Sequence, residues 1–400
     1  MKRLLPLLLA LPLGACARDG GPAERYGFVA RLGNDTVSVE SIARRGNSVT
    51  VDGVDRFPAV RQRHSEITLR PDGGIERLVM DIHTPGDSAQ RRDRHVVADV
   101  RSDSVIVVKR DGTGSMRWAF ARNGGFPMAH VPQMYSLYEL YFQAARRRAD
   151  SLHRGPGDTV MLRQFYIDRE FDRFPMNHGT VRLLAGNRAE IQHDWLSGTG
   201  VATFDSSGHL THYSGAQTTY LVEVERVAEP PEVKPIGERF AALETQRGGP
   251  RQLSVRDTVR ATIGAASFTV DYGRPLARGR TLVGGVIPYD AIWRTGANAA
   301  TQFTTSAPIT LGTLQVPAGS YTLWTVPRQS GVELVVNKQT GQWGTSYDGS
   351  RDLGRTAMTT EKPAAPVDSF TISIEGKDAR SGTLAMTWGD FRWVVPVVVR

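Results

Sequence analysis

The sequence predicts a mainly β protein in two units. The first is an N-terminal curved antiparallel sheet with one amphipathic helix, and the second is a C-terminal β-sandwich. Three observations carry this expectation. Short runs alternating apolar and polar residues recur along most of the chain, broken by Gly, Asp, Asn and Pro. One stretch, near 133–152, abandons period two for helical spacing. A Pro/Gly-rich segment at 228–250 splits the alternating runs into two blocks.

Length and composition agree. The chain has 400 residues, enough to bury more than one core. Its 41 glycines and 22 prolines favour many turns between short strands. The net charge is +8, and residues 251–400 hold sixteen Lys/Arg against eleven Asp/Glu. Such an excess suits an anionic partner or a solvated basic surface. No basic helix, aromatic-interleaved basic run or nucleic-acid motif occurs, which speaks against DNA or RNA as partner.

Residues 1–16 pair a charged start, Lys2 and Arg3, with an apolar run from Leu4 to Leu13 that is short for a bilayer span. Leu13-Gly14-Ala15-Cys16 resembles the bacterial lipobox, which implies cleavage before Cys16 and acylation of its thiol. Cys16 is the single cysteine, so an intrachain disulfide and a cysteine-based zinc site are excluded. Several acyl chains would hold the chain firmly at a membrane. By the same resemblance, Ala17 in place of Asp after the cysteine implies the outer membrane, facing the periplasm or the cell surface. Residues 17–24 read as a tether.

Residues 25–227 form the first β unit. Runs such as TVSVESIA, SEITLR and SVIVVK alternate strictly, and PDGG at 71–74 supplies a hairpin turn. In the helical stretch, Met134, Leu137, Leu140, Tyr141 and Ala144 share one face, and Arg146, Arg147 and Arg148 suit its negative end. A sheet curved around this helix resembles the half-barrels of periplasmic lipid-binding lipoproteins, an architectural likeness only. The segment 228–250 is read as a linker with a brief helix at GERFAALET. From 251 to 400 the strands resume with sandwich-like spacing.

The candidate chemistry is sparse. His209 and His212 stand three apart, which on a strand places them on opposite faces, and adjacent His193-Asp194 diverges in the same way. No histidine follows residue 212, so the C-terminal unit has neither a Ser-His-Asp triad nor a histidine-ligated metal of its own. Asp168, Glu170 and Asp172 share a strand face; they could hold calcium, but a solvated face is the commoner explanation and the one favoured. The loops DGTGS (111–115) and RGR (278–280) match no phosphate loop. Neither a metal nor a cofactor is expected.

The densest stretch is 271–305. It contains YGRP, RGR, GGVIPY, WRTGAN and AT, followed by PAGSYTLW (317–324), Asn337-Lys338 and QWGT (342–345). These runs resemble the successive signatures of the DUF2911 family, over about the whole of 255–400. The resemblance implies a secreted or surface-anchored β domain and carries no established reaction. Arg280, Tyr289, Trp293, Arg294, Asn298 and Trp343 offer aromatic faces beside guanidinium and amide donors, as used to grip sugars and carboxylates. The same residues also fit a structural turn, with Gly296 turning the chain, Asn298 capping it and Arg294 tying loop carbonyls. The expected role is therefore non-catalytic binding of a glycan, a polyanion or an envelope partner, with a glycan or an anionic small molecule as the candidate ligand. Two alternatives stand beside it. One is a hydrolase using Asp271, Asp290, Asp348 and Asp352, and the other is a lipid carrier formed by the first sheet.

Overall fold

A computed structural model describes residues 22–400 except 57–58, 87–91, 124–125, 167–176, 194–197 and 250–251. Cys16, the Asp168, Glu170 and Asp172 row, Asp194 and the side chain of His193 lie outside the described residues. Strands make up 58% of the structure against two helices, so the mainly β expectation holds.

The first unit opens with a meander of β1 (Glu24–Leu32), β2 (Asp35–Arg45), β3 (Ser48–Asp55), β4 (Arg61–Leu69), β5 (Ile75–His83), β6 (Arg94–Val100), β7 (Ser104–Asp111) and β8 (Gly114–Ala121). Then come β9 (Pro127–His130) and the helix α1 (Tyr135–Ser151). A second meander follows, made of β10 (Thr159–Tyr166), β11 (Asn177–Leu184), β12 (Arg188–His193), β13 (Gly198–Phe204), β14 (Leu210–Thr218) and β15 (Glu223–Val227). Pairing of β1 with β15 joins the two meanders into one nearly closed sheet whose edges are β8 and β9. Every pair is antiparallel except β9 with β10. The alternation does what its period requires: on β5, Ile75, Leu78, Met80 and Ile82 are buried while Arg77, Asp81 and His83 are exposed.

The helix α1 lies deeper than an amphipathic pattern implies. The expected face is buried, and so are Tyr138, Phe142 and Ala145 on other sides; Arg147 and Arg148 in the last turns remain exposed. A helix wrapped this way must have its polar groups satisfied from the surrounding strands. Met134 offers no side-chain cap. Glu40 on β2 supplies it instead, accepting the Tyr135 N–H at 2.6 Å, the Ser136 N–H at 3.0 Å and the Ser136 hydroxyl at 2.6 Å. Within the helix, Glu139 accepts the Tyr26 hydroxyl at 2.5 Å and the Leu210 N–H at 2.9 Å.

The segment after β15 is docked rather than loose. It forms α2 (Val233–Gln246), longer than the expected brief helix, with Pro235 in the first turn where no intrahelical donor is lost. Phe240 packs with Val39, Val54 and Val60 on the outside of the first sheet, beneath the Arg56 guanidinium at 4.5 Å.

The second unit comprises β16 (Ser254–Ile263), β17 (Ala266–Pro275), β18 (Thr301–Thr305), β19 (Ile309–Leu311), β20 (Leu314–Val316), β21 (Gly319–Arg328), β22 (Gly331–Asn337), β23 (Asp352–Glu361), β24 (Val367–Gly376), β25 (Ser381–Gly389) and β26 (Phe391–Val399). The order β16-β17-β18-β21-β22-β23 makes one layer. β23 passes to β26, which carries β24-β25 on one side and β19-β20 on the other. Phe268, Phe303, Leu334, Phe370, Trp388 and Val395 fill the core between the layers. The connection from β17 to β18 carries the RGR and WRTGAN runs.

Burial outweighs the donors around Glu40 and raises its carboxyl to about 7. A raised carboxyl favours the fold while protonated, so this stability is full below the ordinary glutamate value and fades as pH rises through about 7. Denaturant melts are expected to show Glu40→Gln losing much less stability than the natural chain between pH 5 and pH 8, by on the order of 2–3 kcal/mol. Parallel pH profiles for the two chains would refute this assignment.

Candidate functional site

The β17–β18 connection is shaped by an unusual backbone run. Thr295 (φ 52°), Gly296 (φ 153°) and Asn298 (φ 64°) all take positive φ, a costly choice for β-branched Thr295. Local bonds hold it: the Thr295 carbonyl accepts the Thr301 hydroxyl at 2.6 Å, and its own hydroxyl reaches that of Thr325 at 3.3 Å. A Cβ at Gly296 would stand 2.8 Å from the Gly273 carbonyl oxygen, so glycine is required there.

This run forms one wall of a cleft of about 910 Å³ between the two units. Leu32 and the Thr218–Leu221 turn face it from the first unit. Arg280, Trp293, Arg294 and Asn298 line it from the second, so the structure brings four of the six expected residues together. Tyr289 lies apart, in a neighbouring groove that shares Arg280 as its divide. Trp343 is 56% exposed and outside the lining, joined to the site through backbone pairing with Ala299.

The four converging residues have different roles. Trp293 belongs to the core: its ring stacks on Trp388 at 6.0 Å and meets Phe370 edge-on at 5.2 Å. Arg280 ties the loop, donating to the Leu276 carbonyl at 2.7 Å and the Ala277 carbonyl at 3.0 Å. Burial, and then the neighbouring Arg278 charge, lower its pKa to about 10. Asn298 is exposed; its carbonyl accepts the Gly344 N–H at 2.9 Å, while its side-chain amide has no hydrogen bond among the described residues. Arg294 is mostly buried, and its guanidinium has neither hydrogen bond nor ion pair among the described residues. Burial alone pushes its pKa below the ordinary arginine range. Gly344 presses on it so closely that a Cβ there would overlap the Arg294 Cδ.

Arg278, which the sequence reading left as part of a turn, holds the cleft together. It is buried at φ 52°, and its Nε donates to Asp35 at 2.7 Å across the units. Its NH2 donates to the Leu253 carbonyl at 2.7 Å, and its own carbonyl accepts the Asn34 N–H at 3.0 Å. No local pattern marks a partner so far away along the chain.

Each of the four acids weighed for hydrolysis is engaged by partners of its own, Asp290 and Asp352 being linked, among the described residues, only through the Arg328, Glu333 and Arg355 ion pairs. Asp271 pairs with Arg256 at 2.8 Å and Asp290 with Arg328 at 3.2 Å. Asp348 caps the turn at Ser350, and Asp352 accepts the Tyr347 hydroxyl at 2.7 Å. His209 reaches Asp205 at 3.3 Å and Glu24 at 3.5 Å, while His212 reaches Glu223 at 3.0 Å. A second histidine group escaped the sequence reading. Across the outer face of β3 to β6, His64 pairs with Asp52 at 2.8 Å, His83 with Asp93 at 2.8 Å and His95 with Asp81 at 2.7 Å. Each imidazole is taken by its own carboxylate, and no three ligating side chains among the described residues are placed to hold an ion.

Arg278→Ala is expected to destabilise the join by about 1–3 kcal/mol, by removing the ion pair to Asp35 and the donor to the Leu253 carbonyl. Calorimetry checks this: the two units should melt at more widely separated temperatures, and an unchanged thermogram would count against the tie.

No curated protein matches the chain. Among solved structures, a DUF1089 family protein from Pseudomonas aeruginosa is similar at 13% identity and a TM-score of 0.30, covering 54% of this chain and 97% of its own. A beta-barrel-like protein of domain of unknown function DUF1849 from Brucella abortus is similar at 11% identity and a TM-score of 0.30, covering 51% of this chain and 94% of its own. Residues 254–397, the unit that carries WRTGAN and PAGSYTLW, match the family described as a protein of unknown function (DUF2911).

Proposed function

We propose that this is a lipid-anchored cell-envelope protein whose C-terminal unit binds an anionic ligand without transforming it. The ligand class is an acidic glycan, another polyanion or the acidic surface of an envelope partner. The observation that carries the reading is Arg294, a mostly buried cation with no counter-charge among the described residues, in the wall of a cleft. An unpaired buried charge costs stability, and an anion seated on the guanidinium offsets that cost through paired charge-assisted hydrogen bonds. Arg280 adds positive charge to the same wall, and the Asn298 amide adds a donor at its rim. The acids are occupied by Arg256, Arg328, Ser350 and Tyr347, which supports binding over hydrolysis, because a glycosidase needs two carboxylates free to face a substrate. The carrier alternative needs an open apolar groove on the concave side of the first sheet, where the side chains of α1 pack instead. The envelope location rests on the leader-like start and Cys16.

Titration calorimetry with oligogalacturonate and with inorganic pyrophosphate tests the site. Arg294→Gln is expected to weaken binding by about ten-fold or more, since bonds to charged groups contribute about 1.5–3 kcal/mol. The same change should leave the unliganded melting temperature equal or higher, because it removes an uncompensated charge. A variant that melts lower yet binds as before would make Arg294 a structural strut and overturn the proposal.

A further inference from the structure

We infer that the rim of the first sheet around the end of α1 lies against an anionic lipid surface. The rim can be traced strand by strand. Leu69 at the end of β4 donates to Asn47 in the β2–β3 turn, and Arg122 after β8 donates to the Asp103 carbonyl in the β6–β7 turn. Arg147, near the end of α1, crowds Gly73 in the β4–β5 turn. A cleft of about 730 Å³ opens there, lined by Arg122, Arg147, Arg148 and Arg163. Asp72 is the one acid among its described lining residues, and Arg70 stands 3.6 Å from it. The negative end of α1 accounts for cations on its own last turns. It does not account for Arg122 and Arg163, which come from other elements into the same cleft.

Two further observations identify the partner as a membrane rather than a dissolved anion. Met161 in the cleft wall is 62% exposed, and Leu152, just past α1, is 46% exposed. Apolar side chains standing among arginines match the boundary between headgroups and acyl chains. The chain also enters the fold at this rim: Glu24 opens β1 opposite Arg44, beside the β2–β3 turn, and lies 3.5 Å from His209. Residues 1–21, with the apolar run and Cys16, therefore precede the same end of the sheet. Contact through the arginine rim goes beyond anchoring by Cys16, and it rests on the envelope reading only for the presence of a membrane. The rim at Leu32 and Asp35 joins the second unit, so the DUF2911-like cleft is held a strand's length from the lipid.

The test uses the chain from residue 17, which keeps both cores entire, since their residues run from Tyr26 to Val399. Co-sedimentation is measured with equimolar phosphatidylglycerol/phosphatidylcholine vesicles and with phosphatidylcholine alone. Binding is expected only to the anionic vesicles and should weaken as salt rises. Arg147→Gln with Arg148→Gln, both exposed positions, should lower the partition coefficient on the order of twenty-fold at unchanged circular dichroism and melting temperature. Leu152→Ser with Met161→Ser should lower it independently. Equal binding to both vesicles, no binding to either, binding of inorganic phosphate alone, or indifference to the arginine pair would each overturn the inference. Arg294→Gln should leave vesicle binding intact, and the mass of the secreted natural chain reports acylation at Cys16 separately. Failure of either earlier reading is thereby told apart from failure of this one.

Discussion

A helix enclosed by strands has to have its terminal N–H groups and its one buried acid satisfied by those strands, and the first unit is arranged around this requirement. Glu40 reaches from β2 to the free donors at the start of α1, and Glu139 reaches back from α1 to β1 and β14. These contacts fix where along the sheet the helix begins and how it is rotated. The apolar side chains then only have to fill the remaining space, which Phe142, Phe204, Tyr138 and Tyr213 do through edge-on ring contacts. Burial raises both carboxyls, so the arrangement trades ionisation for registry.

With the helix placed, the two rims of the sheet acquire opposite roles. The last turns of α1 carry Arg147 and Arg148 to one rim. At the other, the β1–β2 turn presents Asn34 and Asp35 to the Arg278 loop. The second unit thus meets the first through a charged tie and backbone bonds beside a cleft. That composition holds a relative position while leaving the cleft open.

Local pattern revealed much of this. Helical spacing near 133–152 located α1 to within a few residues, and the alternating runs located strands on both sides of α2. The WRTGAN stretch is where Arg280, Trp293, Arg294 and Asn298 converge. What local pattern could not reveal depends on partners far apart in the chain. Glu40 as a cap, Arg278 as an interdomain tie and the His64, His83 and His95 pairs are all cross-strand or cross-unit contacts. Their spacing along the chain carries no period. Trp293 shows a different limit: a tryptophan beside an arginine in a loop resembles a platform, and only the presence of Trp388 under it makes it core.

The order of the strands has a consequence for how the chain folds. β1 is covered on one side by β2, its neighbour in sequence, but on the other by β15, with Gly27 opposite Val227. While the unit folds, the second edge of β1 stays bare until β15, far later in the chain, reaches it. Bare edges recruit strands from other molecules, and pairings this remote in sequence form slowly. The topology therefore leaves one edge of β1 open to foreign strands until β15 closes it.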